Sequence, residues 1–322
     1  MDARLGSLEH WLARQFDGIA YQLAPASEDA SFRRYFRARL ADGRTYIVMD
    51  APPPQEDCAP FVRVAQLLRD AGVHAPDVHA QDLAQGFLLL SDLGTTTYLD
   101  ALAGDHADAL MRDAIDALLR WQLATRPDVL PPYDEALLQR EMALFPDWYV
   151  GRHIATSLSA TRNGELQRIF ALLAASALAQ PKVYVHRDYM PRNLMVCEPN
   201  PGVLDFQDAV LGPITYDVIS LLRDAFVSWD EERVVDWSVR YWEKAKKAGL
   251  PVDPDFAEFW RALEWMGLQR HLKVLGIFAR LTYRDGKPKY VADTPRFVGY
   301  ARAVAERYAP LKPLGRLLDE LA

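Results

Sequence analysis

The chain has 322 residues, half of them hydrophobic and a quarter charged, with 37 Lys plus Arg against 44 Asp plus Glu for a net charge of −7. That length builds a sizeable core in about two domains, or one domain of two lobes, without covalent staples. The acidic balance argues against a nucleic-acid protein, whose surface must be basic to meet the phosphate backbone. The 2 cysteines, Cys58 and Cys197, exclude a disulfide framework and a cysteine-rich zinc module, and they suit a reducing compartment.

Leu5, Leu8, Trp11 or Leu12, and Phe16 recur at helical spacing and predict an opening helix, with no basic region and apolar run of a secretory signal. Strands are predicted over 19–23, 32–40 and 45–49. Asp42-Gly43 turns the second into the third, and Pro52-Pro53-Pro54 stops the third. A helix over 61–71 ends at Gly72, and 78–80 and 86–90 read as two further short strands. These elements make a small lobe of antiparallel strands with one helix, placed at 1–91, and Ser91-Asp92-Leu93-Gly94 marks its end. The second lobe, 92–322, is mainly helical, with helices predicted over 107–125, 134–150, 164–178, 216–226, 231–248, 256–281 and 295–308. Between them, 182–186, 194–197 and 202–205 read as buried strands carrying polar loops. The most apolar segment, 169–179, is too short to span a bilayer, so a cytoplasmic protein without a membrane partner is expected. The fold class expected is α+β.

The chemistry concentrates between Val183 and Asp208. His186-Arg187-Asp188 is followed by Asn193, and then by Asp205-Phe206-Gln207-Asp208, all flanked by apolar residues that anchor the backbone. Asn193 and Asp205 supply one amide oxygen and one carboxylate, the hard donors that Mg²⁺ takes alongside substrate phosphates. Asp188 remains to orient and deprotonate a hydroxyl.

The pattern His186-x-Asp188-x-x-x-x-Asn193 with Asp205-Phe206-x-Asp208 resembles the aminoglycoside phosphotransferase and choline kinase family of small-molecule kinases, which shares its architecture with protein kinases. The resemblance implies a two-lobed protein-kinase-like fold with ATP as phosphoryl donor. It makes Asp188 the catalytic base and Asn193 and Asp205 the Mg²⁺ ligands. It places an interlobe hinge at 88–94, where the backbone of Ser91 and Leu93 meets the adenine edge. Asp205-Phe206-Gln207 lacks the glycine of a protein kinase, no Ala-Pro-Glu follows, and there is no room for an activation loop, so the acceptor is expected to be a small molecule. Residues 30–36 and 269–281 extend the resemblance to members acting on cell-wall amino sugars, implying transfer to a C1 hydroxyl. Aminoglycoside, choline and homoserine are the alternative acceptors, and a nucleotide-binding scaffold without activity is the alternative of another class. A monomer is expected.

The nucleotide lobe departs from the family pattern. Residues 27–34 stand where a glycine-rich phosphate loop belongs but contain no glycine, and Met49 stands where the family places its phosphate-binding Lys. Ser31 is expected at the phosphates. Arg33 and Arg34 point to opposite faces of a strand, and Arg33 is chosen to replace the missing Lys. For the acceptor, Glu141 and Trp148 share a helix face, with Trp148 expected to stack on a sugar ring and Glu141 to bind its hydroxyls, and ordinary packing within the lobe is the alternative for both. Asp208 is expected at the substrate, with a second metal contact or loop bracing as alternatives, and Arg223 at a substrate anion, with pairing to Asp224 or another acid as the alternative. His186 and Asp217 are read as structural. Arg270, Lys273, Arg280 and Arg284 form one helical stripe, read as a solvated basic face.

Overall fold

Leu8, Trp11, Leu12 and Phe16 turn one face of helix α1 (Ala3–Gln15) onto Ala38, Leu40, Val48, Phe87 and Leu89, forming the core of a five-stranded sheet. The computed structural model describes residues 3–28, 32–102 and 106–321. The strands are β1 (Tyr21–Glu28), β2 (Arg34–Leu40), β3 (Thr45–Asp50), β4 (Val78–Asp82) and β5 (Phe87–Ser91), all antiparallel neighbours in the order β1-β2-β3-β5-β4. β5 is apolar without alternation and lies inside the sheet, which is how a strand covered on both faces reads. Gly86 enters β5 at φ +74°, where a Cβ would stand 1.9 Å from the Ala51 carbonyl oxygen. Helix α2 (Ala59–Asp70) buries Phe61, Val64, Ala65, Leu67 and Leu68 and stops before Gly72 at φ +71°.

The chain divides into two units, Met1–Ala117 with Arg192–Asp208, and Leu118–Pro191 with Ala209–Ala322. Residue 91, the expected end of the first lobe, is the last residue of β5. Helix α3 (Tyr98–Ala101) and most of α4 (Ala107–Leu123) extend the first unit.

In the second unit, helix α5 (Glu135–Leu144) gives way to a π-helical segment, Phe145–His153, where one uninterrupted helix was predicted. Pro146 explains the break, because a proline inside a helix removes an N–H and clashes with the carbonyl four residues back. Helix α6 (Ala160–Ala179) leads to strand β6 (Lys182–Val185). Two short strands of the first unit follow, β7 (Leu194–Met195) and β8 (Gly202–Val203). The chain then returns to the second unit through β9 (Val210–Pro213), paired antiparallel with β6. No strand was predicted at β9, whose Gly and Pro lower its strand signal. Helices α7 (Tyr216–Leu222), α8 (Glu231–Lys247), α9 (Phe256–Tyr283), α10 (Thr294–Arg307) and α11 (Lys312–Glu320) complete the unit. α11, also not predicted, is amphipathic and buries Leu314, Leu317 and Leu318.

α9 is the axis of this unit, buried on nearly every face between Leu263 and Ala279. It passes α5 at Gly276, where an added Cβ would lie 2.3 Å from the Leu144 carbonyl carbon. Among the described residues no helix is long and apolar enough to cross a membrane.

The close approach at Gly276 gives a direct test. Gly276→Ala is expected to lower the unfolding free energy by about 2–3 kcal/mol in urea titration, as overpacking does. Gly299→Ala, at a position on α10 with nothing within 4 Å, is expected to leave it unchanged or slightly raised.

Candidate active site

The β6–β9 pair ends in a loop whose backbone is fixed by one carboxylate. Asp217, fully buried on the first turn of α7, accepts the N–H of His186 at 2.6 Å and of Arg187 at 3.0 Å. Burial pushes the Asp217 carboxyl up to about 7, against the pull of those donors. His186 is buried against the Tyr189 ring, and its Nδ1 accepts the Asp188 N–H at 3.2 Å. Both residues therefore hold the backbone that presents Asp188.

Arg187 adopts φ +77°, a left-handed conformation that favours glycine and costs another residue about 1 kcal/mol or more. Its guanidinium donates to Glu141 Oε1 at 2.6 Å. Lys273 Nζ lies 3.0 Å from the same oxygen and 3.0 Å from the Tyr216 hydroxyl. The Tyr133 hydroxyl donates to Glu141 Oε2, and the Gln269 amide approaches at 3.4 Å. Glu141 is thus turned inward onto protein groups, where a sugar hydroxyl was expected. Burial raises its carboxyl, but Lys273, Arg187 and the Tyr133 hydroxyl outweigh burial and bring it down to about 2. Trp148 is half-buried and no longer continues the face of Glu141, because the wide π-helical turn shifts the register between them.

The basic stripe of α9 is corrected in its first half only, since Arg280 is half-buried and Arg284 is exposed as expected. Arg270 and Lys273 are 3% and 8% exposed, not solvated.

The first unit contains a cavity of about 310 Å³ that brings together Ser91, Leu93, Asn193 and Asp205. The two-residue strands β7 and β8 pair Leu194 with Val203, which sets Asn193 and Asp205 at the same end of a tight ladder. Phe206, fully buried, packs at a tilt against Phe61 of α2, ring centroids 4.7 Å apart, and pins Asp205, which sits at φ +62°. Asn193 Nδ2 is 3.4 Å from Asp205 Oδ2, and Gln207 Nε2 donates to Asp205 Oδ1 at 2.8 Å. One carboxylate beside one amide is too few donors for a metal cage, but it fits a hard cation that completes its shell with phosphate oxygens and water. No cluster of His, Cys, Asp or Glu among the described residues could hold a metal alone.

Tyr35 and Arg37 of β2 and Ile47 of β3 line the same cavity. Met49, two residues beyond Ile47 on the same strand face, is fully buried. Arg34, on the opposite face of β2, is paired with Asp50, which also receives Arg4. Arg33 Nε lies 3.3 Å from the Glu56 carboxylate. Arg37 was missed, although residues 33, 35 and 37 share one face by simple alternation. It grips Asp92 with two donors at 2.7 and 2.9 Å and the Gly94 carbonyl at 2.7 Å.

Ser31 lies outside the described residues. Asp208 is exposed. Arg223 lines a different cavity, of about 240 Å³ in the second unit, where it donates to the Trp229 carbonyl at 3.2 Å and lies over the Tyr300 ring at 5.1 Å.

The ordinary Glu pKa of 4.5 against about 2 for Glu141 fixes a pH dependence. A carboxyl whose folded pKa is depressed stabilises the fold fully above its unfolded value and loses that contribution as the pH falls through the folded one. Wild type is expected to exceed Glu141→Gln by about 3 kcal/mol in urea unfolding at neutral pH. The gap should shrink progressively once the pH drops below about 4.5. A gap independent of pH would show that the charge is not what matters there.

Comparison with known proteins agrees with this architecture. Residues 22–260 match the phosphotransferase enzyme family. The N-acetylmuramate/N-acetylglucosamine kinase of Pseudomonas putida is 54% identical over 99% of this chain and 97% of its own length. The protein of the same name from Pseudomonas aeruginosa is 59% identical over 93% of this chain and 88% of its own length. Among solved structures, a choline/ethanolamine kinase family protein from Mesorhizobium loti superposes with a TM-score of 0.63 at 15% identity, covering 97% of this chain and 99% of that one. The ADP-bound aminoglycoside phosphotransferase APH(2'')-Ib does so with a TM-score of 0.60 at 15% identity, covering 93% and 98%. The α+β, protein-kinase-like fold expected from the motifs is therefore the fold of this chain. With a family match across most of its length and near-full-length relatives, the chain belongs to the phosphotransferase enzyme family.

Proposed function

We propose that this protein is an ATP-dependent kinase that phosphorylates the C1 hydroxyl of N-acetylmuramate and N-acetylglucosamine. The observation that carries the reading is near-full-length identity above one half to relatives named for those two sugars. The cavity that gathers Ser91, Leu93, Asn193 and Asp205 supports it. In this reading the adenine edge meets the backbone of Ser91 and Leu93. Asn193 and Asp205 would hold Mg²⁺, which when bound neutralises charge on the β- and γ-phosphate oxygens.

Asp188 accepts the proton of the C1 hydroxyl while that oxygen bonds to the γ-phosphorus, and the bond to the β–γ bridging oxygen breaks, releasing ADP. A hemiacetal hydroxyl is more acidic than an ordinary alcohol, so a carboxylate is a sufficient base. Positioning and electrostatics supply most of the acceleration. Arg33 meets phosphate charge where the family Lys is missing. Asp208, Arg223 and Trp148 remain candidate sugar contacts. The use of ATP sets the reaction in the cytoplasm, and the substrates set it in the salvage of cell-wall sugars.

An acceptor panel with ATP and Mg²⁺ tests this. Both amino sugars should be phosphorylated, with phosphorus NMR placing the phosphate on C1, and the methyl glycoside of N-acetylglucosamine, blocked at C1, should be inert. Turnover of only kanamycin, choline or homoserine overturns the sugar assignment, and no turnover with any acceptor favours a scaffold.

Asp188→Asn is expected to lower kcat by about 10³-fold while nucleotide affinity stays within about threefold. Arg33→Ala is expected to raise the KM for ATP by about tenfold, a loss of roughly 1.4 kcal/mol. An unchanged KM removes Arg33 from the phosphate site.

A further inference from the structure

We propose that Lys273 and Arg187 are positioning residues that act through Glu141 to hold the loop presenting Asp188 in its working conformation. The inference rests on Asp188 being the base, as argued above, and goes beyond it by assigning the residues that set its place.

The loop residue before Asp188 is an arginine in a conformation that favours glycine. Two restraints oppose its relaxation. On the main chain, Asp217 binds the N–H groups of His186 and Arg187. On the side chain, Glu141 binds the Arg187 guanidinium. Lys273 joins both restraints, because its ammonium contacts Glu141 and also the hydroxyl of Tyr216, the residue next to Asp217. Three elements far apart in sequence, α5, the β6 loop and α9, therefore converge on the backbone turn that carries the candidate base.

Stability alone does not account for this cluster. Buried ion pairs are commonly replaced by apolar residues without loss of stability, whereas stripping one partner leaves a buried charge unmatched. A glycine at position 187 would adopt the same backbone at no conformational cost. The arginine is kept against that cost, and its side chain is spent on Glu141.

The test uses the full chain with Arg187→Gly, Lys273→Met, Lys273→Arg and the double variant R187G/K273M. Arg187→Gly relieves the backbone strain while removing the guanidinium, so its thermal midpoint should stay within a few degrees of wild type. Its kcat should nevertheless fall at least tenfold, with both KM values within threefold. Lys273→Met should show the same split, and Lys273→Arg should recover most of kcat. The double variant leaves Glu141 without either cation, so its thermal midpoint should fall and its kcat be read below that midpoint; if both residues act through Glu141, that kcat should be no worse than about threefold below the poorer single variant.

Hydrogen exchange supplies a readout independent of any acceptor. Amides of 186–190 should exchange at least tenfold faster in Lys273→Met, with the sheet β1–β5 unaffected. Unchanged loop exchange, or single-variant losses in kcat that simply multiply in the double variant, overturns the proposal. Should wild type phosphorylate no acceptor, the exchange result still decides the positioning claim, so the two readings fail separately.

Discussion

A loop exposed enough to meet a substrate must still be held to within a fraction of an ångström, and here that task falls to a buried carboxylate. Asp217 collects the two N–H groups that β6 leaves unpaired as the chain turns, and it does so from the first turn of α7, an element buried along its whole length. The geometry around Asp188 follows from this single anchor. Because Asp217 fixes the main chain at 186 and 187, the side chain of Arg187 has one direction to go, and Glu141 stands there to receive it. A carboxylate so placed cannot remain alone in the interior, which explains the ring of Lys273, Tyr133 and Gln269 around it.

The first unit solves a different problem with the same means. Its sheet buries a thioether, Met49, where the sequence resemblance leads one to expect an ammonium. The cations of the sheet instead stand on β2, and their pairing sorts them by face. Arg34 turns to Asp50 on one side, while Arg37 on the other reaches Asp92 just beyond β5. The bidentate grip of Arg37 on Asp92, with its further bond to the Gly94 carbonyl, stiffens the stretch next to Ser91 and Leu93. Asn193 and Asp205 are fixed by two paired dipeptides and by the burial of Phe206, so very little regular structure suffices to place them.

Much of this was legible in the residues. Periodicity located α1 and the β2–β3 hairpin, which bury one face and follow one rule each, and the length of the apolar pattern located α9, which is buried on nearly every face. The spacing of Asp188, Asn193 and Asp205 pointed to the phosphotransferase enzyme family, to which the chain belongs, since few other patterns place those donor types on apolar strands. What escaped was set by tertiary contacts. Glu141 and Lys273 look like surface residues in one dimension, and only their convergence on Arg187 explains their burial. β9 carries a Gly and a Pro and exists because β6 offers it a partner. The π-helical segment is local in origin, and Pro146 could have announced it. Arg37 was within reach of the alternation already used for Arg33 and Arg34.

The left-handed Arg187 carries a consequence for how such a sequence can diverge. Positions 141, 187 and 273 lie scattered along the chain, yet each is chemically intelligible only in the company of the others. A lineage that drops Glu141 strands two cations in the interior, and one that drops either cation loosens the loop, so inherited variation at these sites must arrive in concert. Descendants should therefore fall into a few discrete combinations at the three sites, with intermediate combinations rare.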